Sequence, residues 1–224
     1  MTRPLTFRSR RTALGLLAAL TLVGACARDA EEGKAGATTA QTTAAGTLDD
    51  SATGSRSAQQ LLAAWPEKQR ATAEEMIAKY GQPSVMGEQM LVWYNTGPFV
   101  STSLHRQEIA HDFPMPHVDY LTQTVKHAVP ANRLAAMNEY DGSVWYHRTR
   151  GELSAQCDVE AMNMLALNLA HDISTGKRNA ADARAFYAKT AMAFKQGDKS
   201  SPYVTGLTFQ SEPNAADPDQ AHKM

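Results

Sequence analysis

The stretch Cys157–Gly176, CDVEAMNMLALNLAHDISTG, constrains the fold more than any other part of the chain. Between Ala161 and Ala170 only Asn163 and Asn168 are polar. On a 3.6-residue wheel Met162, Leu165, Ala166, Leu169 and Ile173 form one apolar stripe, while Met164 and Leu167 fall on the other side. A helix apolar on both sides must be covered on both, so this stretch predicts a central helix near 157–175, sandwiched between other elements. Asp158 and Glu160 in its first turn, Lys177 and Arg178 past its end, and Gly176 as a stop suit the helix dipole and C-terminus. Asn163 and Asn168 need hydrogen-bond partners if buried there, and neighbouring backbone is the expected one.

The remaining elements follow from shorter patterns. Leu61–Trp65 is an apolar opening, and Pro66 suits the first turn of a helix running to Lys79. Ala73, Met76, Ile77 and Tyr80 should form its buried stripe. Strands are predicted over Gln89–Asn95, Phe99–Ile109, Tyr120–Val129 and Ser143–Arg150, with Thr96-Gly97-Pro98 turning the first hairpin. Pro130 opens a short helix that Asp141-Gly142 closes. Asn179 caps a last helix over Ala180–Gln196, and Val204–Phe209 adds a candidate edge strand. The expected fold is α+β: a mainly antiparallel sheet of about four strands packed with helices, within one domain over 58–209. Residues 210–224 read as a disordered tail.

Residues 1–25 read as an export signal. Arg3, Arg8, Arg10 and Arg11 make a positive n-region, and Ala13–Val23 is an apolar run too short for a comfortable membrane span. The run ends in Val23-Gly24-Ala25-Cys26, which resembles the lipobox of bacterial lipoprotein signal peptides. That resemblance implies cleavage before Cys26, acylation of its thiol and an extracytoplasmic, membrane-anchored protein. Ser9-Arg10-Arg11-Thr12-Ala13-Leu14 also resembles a twin-arginine export motif, with Ala13 where a bulkier apolar residue is usual. Residues 26–57 are rich in Ala, Thr, Gly and Ser, a composition that cannot bury enough apolar surface to fold. As a flexible tether they would hold the domain roughly 30 Å from the membrane.

Charge and cysteine count fit that setting. The signal carries four arginines and no acids, so its removal takes the formal net charge from −1 to about −5. A mildly acidic domain has no electrostatic footprint for nucleic acid. Of the two cysteines, acylation of Cys26 would leave Cys157 without an intrachain partner, and the core alone must then stabilise the domain. Ile77-Ala78-Lys79-Tyr80-Gly81-Gln82-Pro83, followed by Leu91-Val92-Trp93-Tyr94, resembles the helix–glycine–aromatic strand joint of small outer-membrane assembly lipoproteins of the SmpA/OmlA type. Over these roughly 20 residues the resemblance implies binding to envelope proteins rather than catalysis.

Candidate chemistry centres on His111-Asp112-Phe113-Pro114-Met115-Pro116-His117-Val118-Asp119. Imidazoles and carboxylates are common zinc ligands, so His111, Asp112, His117 and Asp119 are the candidate metal set, with His105, His127 or His147 available to complete a shell. Two prolines favour an extended polyproline path, which would put His111 and His117 roughly 19 Å apart. A rigid surface crossover tucking Phe113 and Met115 into the core is the competing reading. Cys157 and His171, read as sharing one helix about 21 Å apart, cannot form a nucleophile–base pair. Cys157 then reads as a small buried hydrophobe. Arg148 and Arg150 would share a strand face if pairing extends that far, making a fork for carboxylate or phosphate; salt bridges to Glu152 or Asp158 are the alternative.

No Gly-rich phosphate loop, Gly-x-Ser-x-Gly elbow, His-Glu-x-x-His or Cys-x-x-Cys occurs. This favours a binding role over an enzymatic one. The leading expectation is a lipid-anchored envelope protein that binds another envelope protein, marked by an exposed apolar patch around Phe99, Phe113 and Met115. The alternative is a metal-binding protein or metal-dependent enzyme built on the His111–His117 segment.

Overall fold

The computed structural model of the protein describes residues 57–224; the stretches expected to form an export signal and a tether, with Cys26, lie outside the described residues. Ser57 caps α1 (Ala58–Leu62) through a reciprocal capping box with Gln60. α2 (Glu67–Tyr80) follows Pro66 and ends at Gly81, whose φ of +81° any other residue would adopt only with strain. Then come β1 (Val85–Met86), β2 (Met90–Thr96), β3 (Phe99–His111) and β4 (His117–Lys126). A 3-10 turn at Ala131–Arg133 leads into α3 (Leu134–Tyr140), followed by β5 (Val144–His147) and β6 (Glu152–Cys157). Helices α4 (Glu160–Ser174), α5 (Ala180–Lys195) and α6 (Pro202–Thr205) complete the order.

The six strands form one antiparallel sheet in the order β1-β2-β3-β4-β6-β5, so the α+β reading holds, with six strands rather than about four. The two additions have separate causes. β1 is only two residues long, below any legible alternation. β6 includes Cys157, which the sequence pattern places in the central helix. Its segment Glu152–Cys157 pairs with β4 on one side and β5 on the other. Val204–Phe209 adds no strand; Pro202–Thr205 is a helical turn with Pro at its start, where a missing N–H costs nothing.

Cross-strand rows show where the core sits. Leu91, Leu104, Leu121 and Cys157 are successive partners, and so are Trp93, Thr102, Gln123, Ala155 and Val144; all are buried. Helix α4 packs against β6, α3, α5 and α6, and thirteen of its fifteen residues are buried, Leu165 and Leu167 completely. Both sides of the helix are thus covered, as its composition requires. Its asparagines do the expected work: Asn163 Nδ2 donates to the Leu121 carbonyl at 2.9 Å, and Asn168 Nδ2 donates to the carbonyls of Tyr203 and Gly206 at 3.1 and 2.8 Å.

Glu160, buried in the first turn of α4, accepts from Tyr80 Oη at 2.6 Å and Gln123 Nε2 at 2.7 Å and also pairs with Lys79. These donors tie α2 and the sheet to the helix start, where negative charge suits the dipole. Beyond Phe209 the chain, expected to be disordered, makes specific contacts. Glu212 N–H donates to the Lys126 carbonyl at 2.9 Å, and Asp217 N–H to the Arg148 carbonyl at 3.2 Å. Among the described residues no helix is long and apolar enough to cross a membrane.

Candidate metal centre

The β3–β4 connection, Asp112–Pro116, contains a cis Phe113–Pro114 bond and turns the chain back on itself. The extended polyproline spacing expected between His111 and His117 therefore does not occur. They are direct cross-strand partners with ring centroids 4.9 Å apart. Asp119 lies two residues further along β4, on the same face as His117 by the two-residue period of a strand. One ligand atom from each of His111, His117 and Asp119 falls within 4.8 Å of the others.

Asp119 is fully buried, and its two oxygens face the two imidazoles. Oδ2 lies 3.1 Å from His111 Nδ1, and Oδ1 lies 3.1 Å from His117 Nε2. Ser143 Oγ donates to Oδ2 at 2.5 Å, whereas Oδ1 takes part in no hydrogen bond. The reason lies on the far side of His117. Its Nδ1 is 2.8 Å from the Met115 carbonyl, an acceptor, so Nδ1 carries the proton. In the neutral ring Nε2 then presents a lone pair to the lone pairs of Asp119 Oδ1. Two acceptors at that separation beside a buried carboxylate require a proton or a cation between them.

His111 is oriented in a similar way, its outer Nε2 lying 3.5 Å from Asp141 Oδ1. Each ring thus directs its outer nitrogen to a carbonyl or carboxylate and its inner nitrogen to the shared carboxylate, as metal-ligating histidines do. The hydrogen bond to Asp119 raises the His111 pKa above the ordinary imidazole range against the opposing effect of burial, and the charges of Asp141, Asp119 and Asp112 add to it. Burial pushes the Asp141 carboxyl up, partly offset by the Ser143 N–H that donates to it at 2.8 Å.

Beside this cluster opens a cavity of about 260 Å³. His117 and Cys157 line it, with Pro116, Met162 and Tyr187 among the walls and Lys195 also at the lining. Cys157 Sγ is 3.6 Å from His117 Nε2 and donates to Asp158 Oδ1 at 3.5 Å. Burial, then the charges of Asp158 and Asp119, pushes this thiol well above its ordinary range, so it is no ready nucleophile.

The other sequence candidates lie elsewhere. Asp112 is exposed and outside the ligand group. His105 lines a separate depression with Trp145. His127 sits between Glu212, 2.7 Å from its Nδ1, and Ser174, 2.8 Å from its Nε2. His147 Nδ1 accepts from the Arg150 N–H at 3.3 Å. Strand pairing stops at His147, so Arg148 and Arg150 share no strand face. Arg148 instead pairs with Asp217 at 2.7 Å and with Asp219, and Arg150 Nε with Glu152 at 3.0 Å. Phe99 is 1% exposed and Phe113 packs on Tyr187 and under Arg184, so the anticipated patch at Phe99, Phe113 and Met115 is not an open surface.

Sequence reasoning missed Asp141, Ser143 and Cys157. The Asp141-Gly142 pair reads as a helix stop, which it is, and that local role gives no sign of a second one across the sheet. Comparison of the chain with protein-family models, curated proteins and solved structures found no match.

Proposed function

We propose that this chain is a lipid-anchored protein of the bacterial envelope whose folded domain binds a divalent transition metal, zinc first among candidates, through His111, His117 and Asp119. The observation that carries the metal reading is Asp119 Oδ1: fully buried, without a hydrogen bond, and 3.1 Å from His117 Nε2, whose ring partner Nδ1 already donates to the Met115 carbonyl. A cation there would satisfy both lone pairs at once, and two imidazoles with one carboxylate are a donor set zinc accepts. The envelope placement rests on the arginine-rich n-region, the short apolar run and Cys26. The role is binding rather than catalysis, in keeping with the absent enzyme motifs and the inert thiol.

The test is metal analysis of the purified full chain beside a His111→Ala/His117→Ala double variant. Near-stoichiometric metal in the wild type, lost in the variant, is expected. A wild-type chain that takes up no zinc even after loading and dialysis overturns the reading.

Docking on an envelope protein is the second reading, favoured by Tyr94 and Trp145. They stand in one cross-strand row, Tyr94, Ser101, Thr124, Ser154 and Trp145, and are 53% and 43% exposed. A photo-crosslinker at either position that captures no envelope protein in cells would remove it.

A further inference from the structure

The three-residue cluster leaves open what stands on its cavity side, and the neighbour there is a sulfur. Cys157 ends β6, is 4% exposed, and holds Sγ 3.6 Å from His117 Nε2, the nitrogen that faces Asp119. We propose that Cys157 is the fourth donor to the metal, closing the site as His111, His117, Asp119 and Cys157. The inference rests on the metal reading above and decides what kind of metal site it is.

The argument is one of edge lengths. In a tetrahedral zinc site with Zn–N near 2.05 Å and Zn–S near 2.3 Å, the nitrogen-to-sulfur edge is about 3.6 Å. A nitrogen-to-oxygen edge is about 3.4 Å by the same geometry. The observed separations around His117 Nε2 are 3.6 Å to Cys157 Sγ and 3.1 Å to Asp119 Oδ1. That nitrogen is the vertex common to both edges, while Cys157 Sγ stands outside the three ligand atoms that lie within 4.8 Å of one another, so the thiol must swing inward about its Cα–Cβ bond as an ion binds. His111 Nδ1, 3.1 Å from Asp119 Oδ2, completes the set from the opposite strand. The thiol hydrogen, directed at Asp158 Oδ1 in the metal-free site, passes to solvent as the metal–sulfur bond forms.

Two consequences follow from a sulfur donor. The site prefers zinc or cobalt(II) to magnesium, calcium or manganese, which favour all-oxygen shells. With four protein donors no coordination position is left for a substrate, so the metal is held as structure or as cargo and not as a catalyst.

Cobalt(II) reports each part separately. The full chain, stripped of metal, is titrated with cobalt as wild type, Cys26→Ser, Cys157→Ser and His117→Ala. Wild type and Cys26→Ser are expected to show tetrahedral d–d bands together with a near-ultraviolet sulfur-to-cobalt charge-transfer band. Cys157→Ser should lose the charge-transfer band and bind cobalt about 10- to 100-fold more weakly, and His117→Ala should show neither feature. Because the sequence holds only two cysteines, the Cys26→Ser chain assigns the band to Cys157 without disturbing the core, even if Cys157→Ser does not fold. Stoichiometric cobalt uptake without a charge-transfer band, or a band lost in Cys26→Ser, overturns the cysteine assignment and leaves metal binding intact. No cobalt uptake by the wild type overturns the metal reading itself.

Discussion

His111 and His117 stand directly opposite each other at the end of the β3–β4 hairpin, and a single buried carboxylate, Asp119, presents one oxygen to each ring. Asp119 is therefore the residue whose change separates metal binding from folding most sharply. Asp119→Asn keeps the shape, removes the charge and places an amide N–H₂ or carbonyl against each imidazole. Metal uptake should fall at least 100-fold while the chain still folds. Calorimetric titration with zinc checks this, and retained wild-type affinity would refute the proposed ligand.

Ser143 Oγ donates to Asp119 Oδ2 and lies 3.3 Å from His111 Nδ1, so it touches two proposed ligands from outside the set. Ser143→Ala should weaken zinc binding by roughly 10- to 100-fold, the usual effect of removing an outer partner of a ligand. Stability of the metal-free protein should fall by only about 1–2 kcal/mol. Equal zinc affinity in the two proteins would mean that Ser143 does not position Asp119.

His127 carries a pH dependence of definite sign. Burial lowers its pKa below the ordinary imidazole value, against Glu212, and burial together with the neighbouring His127 lowers that of His171. Ser174, Phe209 and the His171 ring also face His127. A lowered folded pKa means the unfolded chain binds the proton first, so the contribution to stability is present above about pH 6.5 and lost as pH falls through the folded pKa. His111, raised, has the opposite sign: its contribution is present below about pH 6.5 and lost as pH rises through its folded pKa. The whole-protein profile mixes the two, so the decisive quantity is the stability gap between wild type and His127→Gln. It should narrow as pH drops from about 7 toward 5; a gap that widens would reverse the assignment.

Gly151 links the tail to the sheet. Its φ is +59°, and a Cβ there would lie 2.2 Å from the Ala215 backbone carbon. Gly151→Ala should destabilise by about 1–3 kcal/mol and release residues 211–219. Limited proteolysis should then clip the C-terminus well before the domain unfolds. Unchanged protection would show that the tail tolerates displacement.

Cys26, outside the described residues, is tested by fractionation. Cys26→Ser should move the protein from the membrane pellet to the soluble fraction after lysis, without changing zinc stoichiometry. A variant that stays with the membrane removes the lipid anchor from the reading.

How far the sequence reached is clearest at α4. Its apolar residues on both sides, with Asn163 and Asn168 inside, required a covered helix and polar partners, because burial and hydrogen-bond satisfaction are demands each residue makes alone. The α+β class followed from period-two and period-3.6 patterns for the same reason. The boundary at Cys157 was not legible: a lone small apolar residue between Gln156 and Asp158 suits a strand end or a helix start equally, and only pairing with Leu121 makes it a strand.

The site divides along the same line. His111, His117 and Asp119 could be named from their side-chain chemistry, and the signal-like N-terminus from its local composition. Their convergence depends on the chain reversing between Asp112 and Pro116 and on the register that sets His111 against His117. Asp141, Ser143 and Cys157 join from β5's approach and from β6, at positions 24 to 40 residues beyond His117. Residue identity fixed which atoms can hold a proton or a cation. Only tertiary packing, by burying Asp119 and turning Met115's carbonyl onto His117, decided that one of those atoms is left without a partner.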